Sequence, residues 1–241
     1  MGLAPKRTQA AGTLTVLLEQ VPPFSYADSE GRAQGYAVDL MHELLRRSDL
    51  TPQIEFNSWA GIYQRALTQP RSLVVSMARL PEREALFHWI GPTAARRAYL
   101  YRLKSRPDIQ VPQLEAAKAY RTAVVREDAA ERELLAQGFE IGKQLDRSPD
   151  HAAMLRKLFM QRNELIAANS TVAQVMAERT GYDFNQIEPV FKLSEQSLYM
   201  GLRRLEANQG LAKQLLKHWD LMRRDGTVAA IAARYPQVTL D

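Results

Sequence analysis

The chain has 241 residues, 46% hydrophobic and 24% charged, with a net charge of +5 from 32 Lys and Arg against 27 Asp and Glu. At roughly 150 residues per domain this suggests one to two domains with a sizeable core, and the composition excludes global disorder and a fibrous chain. No apolar run approaches the ~20 residues of a membrane span, and the lack of cysteine excludes disulfides, thiolate metal sites and a cysteine nucleophile.

The basic excess lies partly in Arg46-Arg47, Arg96-Arg97, Arg203-Arg204 and Arg223-Arg224. These pairs are scattered, as on a solvated basic surface, and no zinc-finger or RNA-binding aromatic motif accompanies them. Nucleic acid is therefore not an expected partner. The segment 1–12 is small, polar and basic and lacks the apolar stretch of a secretory signal. It reads as an unstructured remnant.

Leu14 to Leu18 is a short apolar run, as in a buried strand. Pro22-Pro23 interrupts regular structure, and Tyr26 to Gly35 carries the turn formers of a tight hairpin. Asp39 is placed to cap a helix carrying Leu40, Met41, Leu44 and Leu45. Gln53 to Phe56 reads as a second strand, Ser58 as the cap of a short helix with Trp59 and Ile62, and Leu73 to Met77 as a third strand. Ala98 to Leu103 is extended, and Lys104 to Pro112 has the composition of a linker. A second strand–helix alternation follows: strand Ala119 to Val125, helix Ala129 to Ala136 behind Asp128, helix Met154 to Phe159, strand Leu165 to Ala168, and a helix from Ser170 to Arg179 stopped by Gly181. Val190 to Leu193 and Leu198 to Leu202 are extended, and two helices split at Asp225-Gly226 close the chain. The alternation predicts α/β layers in two units.

Several patterns recur in a telling order: Pro22-Pro23-Phe24-Ser25-Tyr26, then Gly35-Tyr36-Ala37-Val38-Asp39-Leu40-Met41, then Arg79-Leu80-Pro81-Glu82-Arg83-Glu84 trailed by Phe87-His88-Trp89-Ile90-Gly91-Pro92, then Leu198-Tyr199-Met200-Gly201-Leu202 and Arg224-Asp225-Gly226-Thr227. Together they resemble the family 3 bacterial extracellular solute-binding proteins, the amino-acid-binding components of ABC importers. The resemblance runs from about Thr13 to Tyr235. It implies an α/β, two-lobed clamshell of the type II periplasmic-binding-protein kind, each lobe a sheet flanked by helices, with two hinge crossings. Lobe 1 would hold 13–101 plus 195–241, and lobe 2 would hold 104–192. The implied protein is a periplasmic monomer, its signal peptide removed, that carries a small carboxylate or an amino acid to a permease. No cofactor or metal is implied.

In that resemblance Arg83 matches the arginine that pairs a ligand carboxylate. A guanidinium offers a planar fork suited to it. The alternative is an ion pair with Glu82 or Glu84. Trp59 falls where a ring packs on the ligand, or is simply a core residue. Ser76 and Ala78 lie on the approach to Arg83, with Ala78 replacing a common hydroxyl residue. Arg79 could extend the anion site or face solvent. Glu19, after the first strand, could receive an amine or be a surface carboxylate. In lobe 2 the resemblance leads one to expect an acid after a short strand, and the sequence has Asn169 instead; Asp128 could take the amine or only cap its helix. With Arg83, Arg79 and Arg126 available, a dicarboxylate or other organic acid also fits the charge. No residue is assigned a catalytic role: His42, His88, His151 and His218 come without a nucleophile motif, and GxSxG and HExxH are missing. Against transport stand a sensing clamshell, one that serves only protein contacts, and a clamshell-derived enzyme, since some relatives of the implied fold are dehydratases.

Overall fold

The structure is a computed structural model and describes residues 12–240. The expected N-terminal remnant lies outside the described residues except for Gly12, which opens the first strand.

One mixed sheet organises the chain, in the order β4-β1-β5-β10-β6-β9-β7-β8. Its first end is parallel, from β1 (Gly12–Leu18), β4 (Leu50–Phe56) and β5 (Ser72–Ala78). Its second end is also parallel, from β7 (Thr122–Val125), β8 (Leu145–Ser148) and β9 (Leu165–Asn169). Between them run two antiparallel strands of 17 residues each, β6 (Phe87–Leu103) and β10 (Ile187–Arg203). They pair from Ile187 opposite Leu103 to Arg203 opposite Phe87. β10 joins the first end through β5, and β6 joins the second through β9. The extended pieces read separately in the sequence are thus parts of these two long crossings. A two-stranded hairpin, β2 (Tyr26–Ala27) and β3 (Ala33–Gln34), fills the expected turn segment.

Helices cover both ends. α1 (Tyr36–Arg47) and α2 (Trp59–Thr68) belong to the first, with α6 (Gln209–Arg224) and α7 (Thr227–Ala232) returning to it. Leu40, Met41, Leu44 and Leu45 of α1 share one core with Leu215, Trp219 and Met222 of α6. Each such Leu contributes about 1.5–3 kcal/mol by leaving water, so the C-terminal helices need no sheet of their own. α3 (Ala129–Ala136), α4 (His151–Phe159) and α5 (Ser170–Arg179) pack on the second end. Met154, Leu155 and Leu158 meet Ala173 and Ala177 there.

Some local expectations are corrected. α1 starts at Tyr36, not Asp39. The Tyr36 and Ala37 N–H groups donate to the Pro23 and Phe24 carbonyls, each at 2.9 Å, so the proline turn itself caps the helix. This close approach requires Gly35: its φ is 120°, and a Cβ there would lie 2.5 Å from the Phe24 carbonyl oxygen. Asp39 instead accepts from the Tyr235 hydroxyl at 2.6 Å. β4 begins at Leu50 and tolerates Pro52 because it is the sheet's edge strand.

Candidate functional site

A cavity of about 50 Å³ lies between the two ends of the sheet, beside the crossing strands. Seven of its lining residues lie at or follow the carboxyl ends of parallel strands: Glu19 after β1, Trp59 after β4, Ser76 and Arg83 at and after β5, Asp128 after β7, His151 after β8 and Asn169 ending β9. Ligand crevices of open α/β sheets form at such strand ends. Val21, Phe24, Ile62, Val75, Val172 and Leu198 supply apolar walls. Trp59 and His151 open helices α2 and α4, while Asp128 and Asn169 cap α3 and α5, so four helix N-termini converge on the cavity and favour a negative ligand group.

Arg83 is 1% exposed and has no ion-pair partner among the described residues. Its guanidinium sits 5.1 Å from the ring centres of both Trp59 and Tyr63. Nη1 donates to the Ala78 carbonyl at 3.4 Å and Nη2 to the Glu127 carbonyl at 3.1 Å. Two of its five N–H groups are thus committed, leaving donors for a carboxylate. Burial pulls its pKa below the usual value and the nearby Asp128 charge opposes this. The alternative of pairing with Glu84 does not occur: Arg79 takes that carboxylate, with Nε at 2.7 Å and Nη2 at 2.5 Å.

Ser76, at φ 62°, has a buried hydroxyl with no hydrogen-bond partner among the described residues. Ala78 lines the cavity with its carbonyl turned to Arg83. Asp128 accepts from the Ala129 N–H at 2.6 Å, which is the cap, and also lines the cavity. Asn169 does both as well, accepting from the Thr171 N–H at 2.9 Å. Burial, with the Asp128 and Asp150 charges, pushes the Glu19 carboxyl up to about 8 against a hydrogen bond from the Trp59 backbone. Glu19 is therefore largely protonated at neutral pH.

Of the eight residues singled out in the sequence, seven line this cavity and Arg79 does not. Arg79 lies outside it, against the Trp89 and Tyr199 rings. Arg126 is exposed and also outside the lining. Three polar cavity residues were missed, Ser25, Arg96 and His151, along with the apolar walls. Alternation along β6 carried a signal for Arg96: it shares the buried parity of Ala94, Ala98 and Leu100. His151 was hidden because β8, Leu-Asp-Arg-Ser, has no apolar pattern and the strand end before it went unread.

Among the described residues no cluster of His, Asp and Glu could hold a metal, and no helix is long and apolar enough to cross a membrane. A two-lobed α/β clamshell with a cation-bearing interlobe cavity is the architecture of a solute-binding protein. The profile of the bacterial extracellular solute-binding proteins, family 3, matches residues 14–238, and the chain belongs to that family. No curated protein sequence matches it. Among solved structures, a histidine kinase sensor domain similar to periplasmic binding proteins superposes with a TM-score of 0.86 at 17% identity, over 98% of this chain and all of the other. An ancestral arginine-binding protein bound to arginine gives 0.81 at 18% identity, over 94% and 99%. An ancestral amino acid-binding protein that preceded cyclohexadienyl dehydratase gives 0.74 at 20% identity, over 93% and 95%. These likenesses establish the clamshell fold.

Proposed function

We propose that the protein captures a small carboxylate, an amino acid above all, between its lobes and delivers it from the periplasm to an ABC importer. One observation carries this: Arg83 is a buried cation without an ion-pair partner among the described residues, in a cavity that also holds the Asp128 carboxylate. A zwitterion answers both charges, its carboxylate on Arg83 and its ammonium at Asp128. Trp59 and the apolar walls enclose the rest of the ligand, and Ser76 offers a further hydroxyl. The role is binding without chemistry by a monomer.

The test is a thermal-shift screen of refolded protein against amino acids and small organic acids, with Arg83→Ala alongside. A ligand at ~100 times its Kd stabilises by roughly 2.7 kcal/mol. A stabilising amino acid lost in Arg83→Ala and recovered chemically unchanged is expected; catalytic conversion or indifference to Arg83→Ala refutes the reading. A second reading, ligand sensing, is favoured by the full-length match to a kinase sensor domain. Stimulation of a reconstituted permease's ATP hydrolysis by the loaded protein separates the two.

A further inference from the structure

Arg83 and Asp128 answer the two ends of a zwitterion, and the cavity holds further polar groups. Arg96 lies on the crossing strand β6 and is 3% exposed. Its Nη1 donates to Glu133 Oε1 at 2.8 Å and Ser194 Oγ at 3.0 Å. Its Nη2 is buried and has no hydrogen-bond partner among the described residues. His151, 6% exposed, has its Nδ1 in the same condition. Both line the cavity, and burial holds the His151 pKa down, the Asp128 and Asp150 charges opposing and the Arg96 charge adding to it. Asn169 spends its side-chain carbonyl on the Thr171 N–H, which leaves its amide NH₂ as a donor. Three lining residues thus offer unspent nitrogen at the second-lobe side of the cavity. A buried guanidinium N–H left unmade is expensive, and a ligand that supplies the acceptor recovers that penalty.

Charge decides which acceptor. Arg96 is already neutralised by Glu133, whose carboxylate also accepts from Ser194 Oγ at 2.8 Å and from Gln196 Nε2 at 2.5 Å. With Arg83 and Asp128 matched by the ligand's backbone ends, no net charge remains for its side chain. A cationic side chain would meet Arg96, and the cavity's one further acid, Glu19, is held toward its neutral form by desolvation and the Asp128 charge. An acidic one would crowd Glu133 and Asp128. An aliphatic one would leave Nη2 unpaired, and sites built to hydrogen-bond a ligand reject analogues that lack the partner. Resting on the amino-acid reading above, we infer that the cavity selects a neutral α-amino acid whose side chain ends in a carboxamide, the carbonyl oxygen received by Arg96 Nη2 and the group flanked by His151 and Asn169.

Calorimetric titration of the refolded full chain with glutamine, asparagine, glutamate, leucine and arginine tests this, repeated on Arg96→Lys. Lysine keeps a cation for Glu133 but removes the second guanidinium nitrogen. At least one amide should bind wild type ten times or more tighter than glutamate, leucine or arginine. Arg96→Lys should weaken that amide at least tenfold and change leucine by less than threefold. Leucine, glutamate or arginine binding as tightly as the amides, or an equal loss for every ligand in Arg96→Lys, overturns the inference and leaves the amino-acid reading standing. Binding of no amino acid by wild type overturns both. If Arg96→Lys fails to fold, the wild-type ranking decides alone.

Discussion

The Trp59 indole Nε1 donates to the Glu127 carbonyl oxygen at 2.7 Å, joining the start of α2 to the turn before α3 across the cavity. Arg83 Nη2 reaches the same oxygen at 3.1 Å. Glu127 presents this carbonyl from a left-handed backbone, φ 63°, steadied by its N–H bond to Glu131 Oε2 at 2.8 Å. One backbone oxygen on the second lobe therefore receives the two first-lobe side chains that would also enclose a ligand.

That link exists only while the lobes are together, so it biases the clamshell toward closure. Trp59→Phe keeps the ring and removes the donor. A net hydrogen bond of about 0.5–1.5 kcal/mol should translate into roughly two- to tenfold weaker ligand binding. Small-angle scattering of the unliganded variant should show a larger radius of gyration than wild type. Unchanged scattering and affinity would remove the link from the closing equilibrium.

Arg83 separates stability from function. A buried cation without an ion pair is costly, and an apolar residue of similar volume often stabilises such a site. Arg83→Met should abolish carboxylate binding while leaving the midpoint of unliganded denaturation equal to or above wild type. A merely structural arginine would give the reverse, with a drop of several kcal/mol. Denaturant unfolding paired with calorimetry reads both effects.

Legibility in the sequence tracked how local the cause was. Helix Ala129–Ala136 behind its Asp128 cap was readable because cap and periodicity sit in one window. The start of α1 was not, since its cap is the carbonyl pair of Pro23 and Phe24, brought there by the fold. β10 broke into two pieces in the sequence and β6 showed only its end, Ala98 to Leu103, because both alternate between cavity, core and solvent as they cross the molecule. At the site, Arg83 was legible through its surrounding motif. For Arg79 spacing left the anion site and solvent both open, and its ion pair with Glu84 holds it outside the cavity. The alternation of β6 marks Arg96 as buried, but its partners Glu133 and Ser194 lie 37 and 98 residues away, which no local pattern reports.

Asp128 holds two roles that one pair of substitutions can part. Asparagine is as good an N-cap as aspartate, whereas alanine loses about 1 kcal/mol. Asp128→Asn should keep stability within about 0.5 kcal/mol yet weaken amino-acid binding tenfold or more, because the ammonium loses its counter-charge. Asp128→Ala should show the same binding loss plus the cap deficit. Thermal melts and calorimetry on both variants check this. Full amino-acid affinity in Asp128→Asn would leave Asp128 as a cap alone.

Glu19 gives the fold a pH dependence of unusual sign. Desolvation of its carboxyl, with the Asp128 and Asp150 charges adding, pushes its pKa from 4.5 up to about 8 in the folded protein, with the Trp59 backbone N–H pulling the other way. Between those values the folded state holds a proton that the unfolded state has released. Its stabilising contribution is therefore complete below pH 4.5, declines as pH rises through the window, and is gone above 8. The slope approaches about 1.4 kcal/mol per pH unit where the difference is one whole proton. His151 acts oppositely: burial lowers its pKa below 6.5, so its contribution is lost as pH falls below that value. Between pH 7 and 8 the imidazole is largely neutral in both states and Glu19 is read without it. Denaturant unfolding of wild type should lose stability from pH 7 to 8 relative to Glu19→Gln, which carries no titrating proton. Parallel curves for the two proteins over that interval would show that Glu19 ionises freely in the fold.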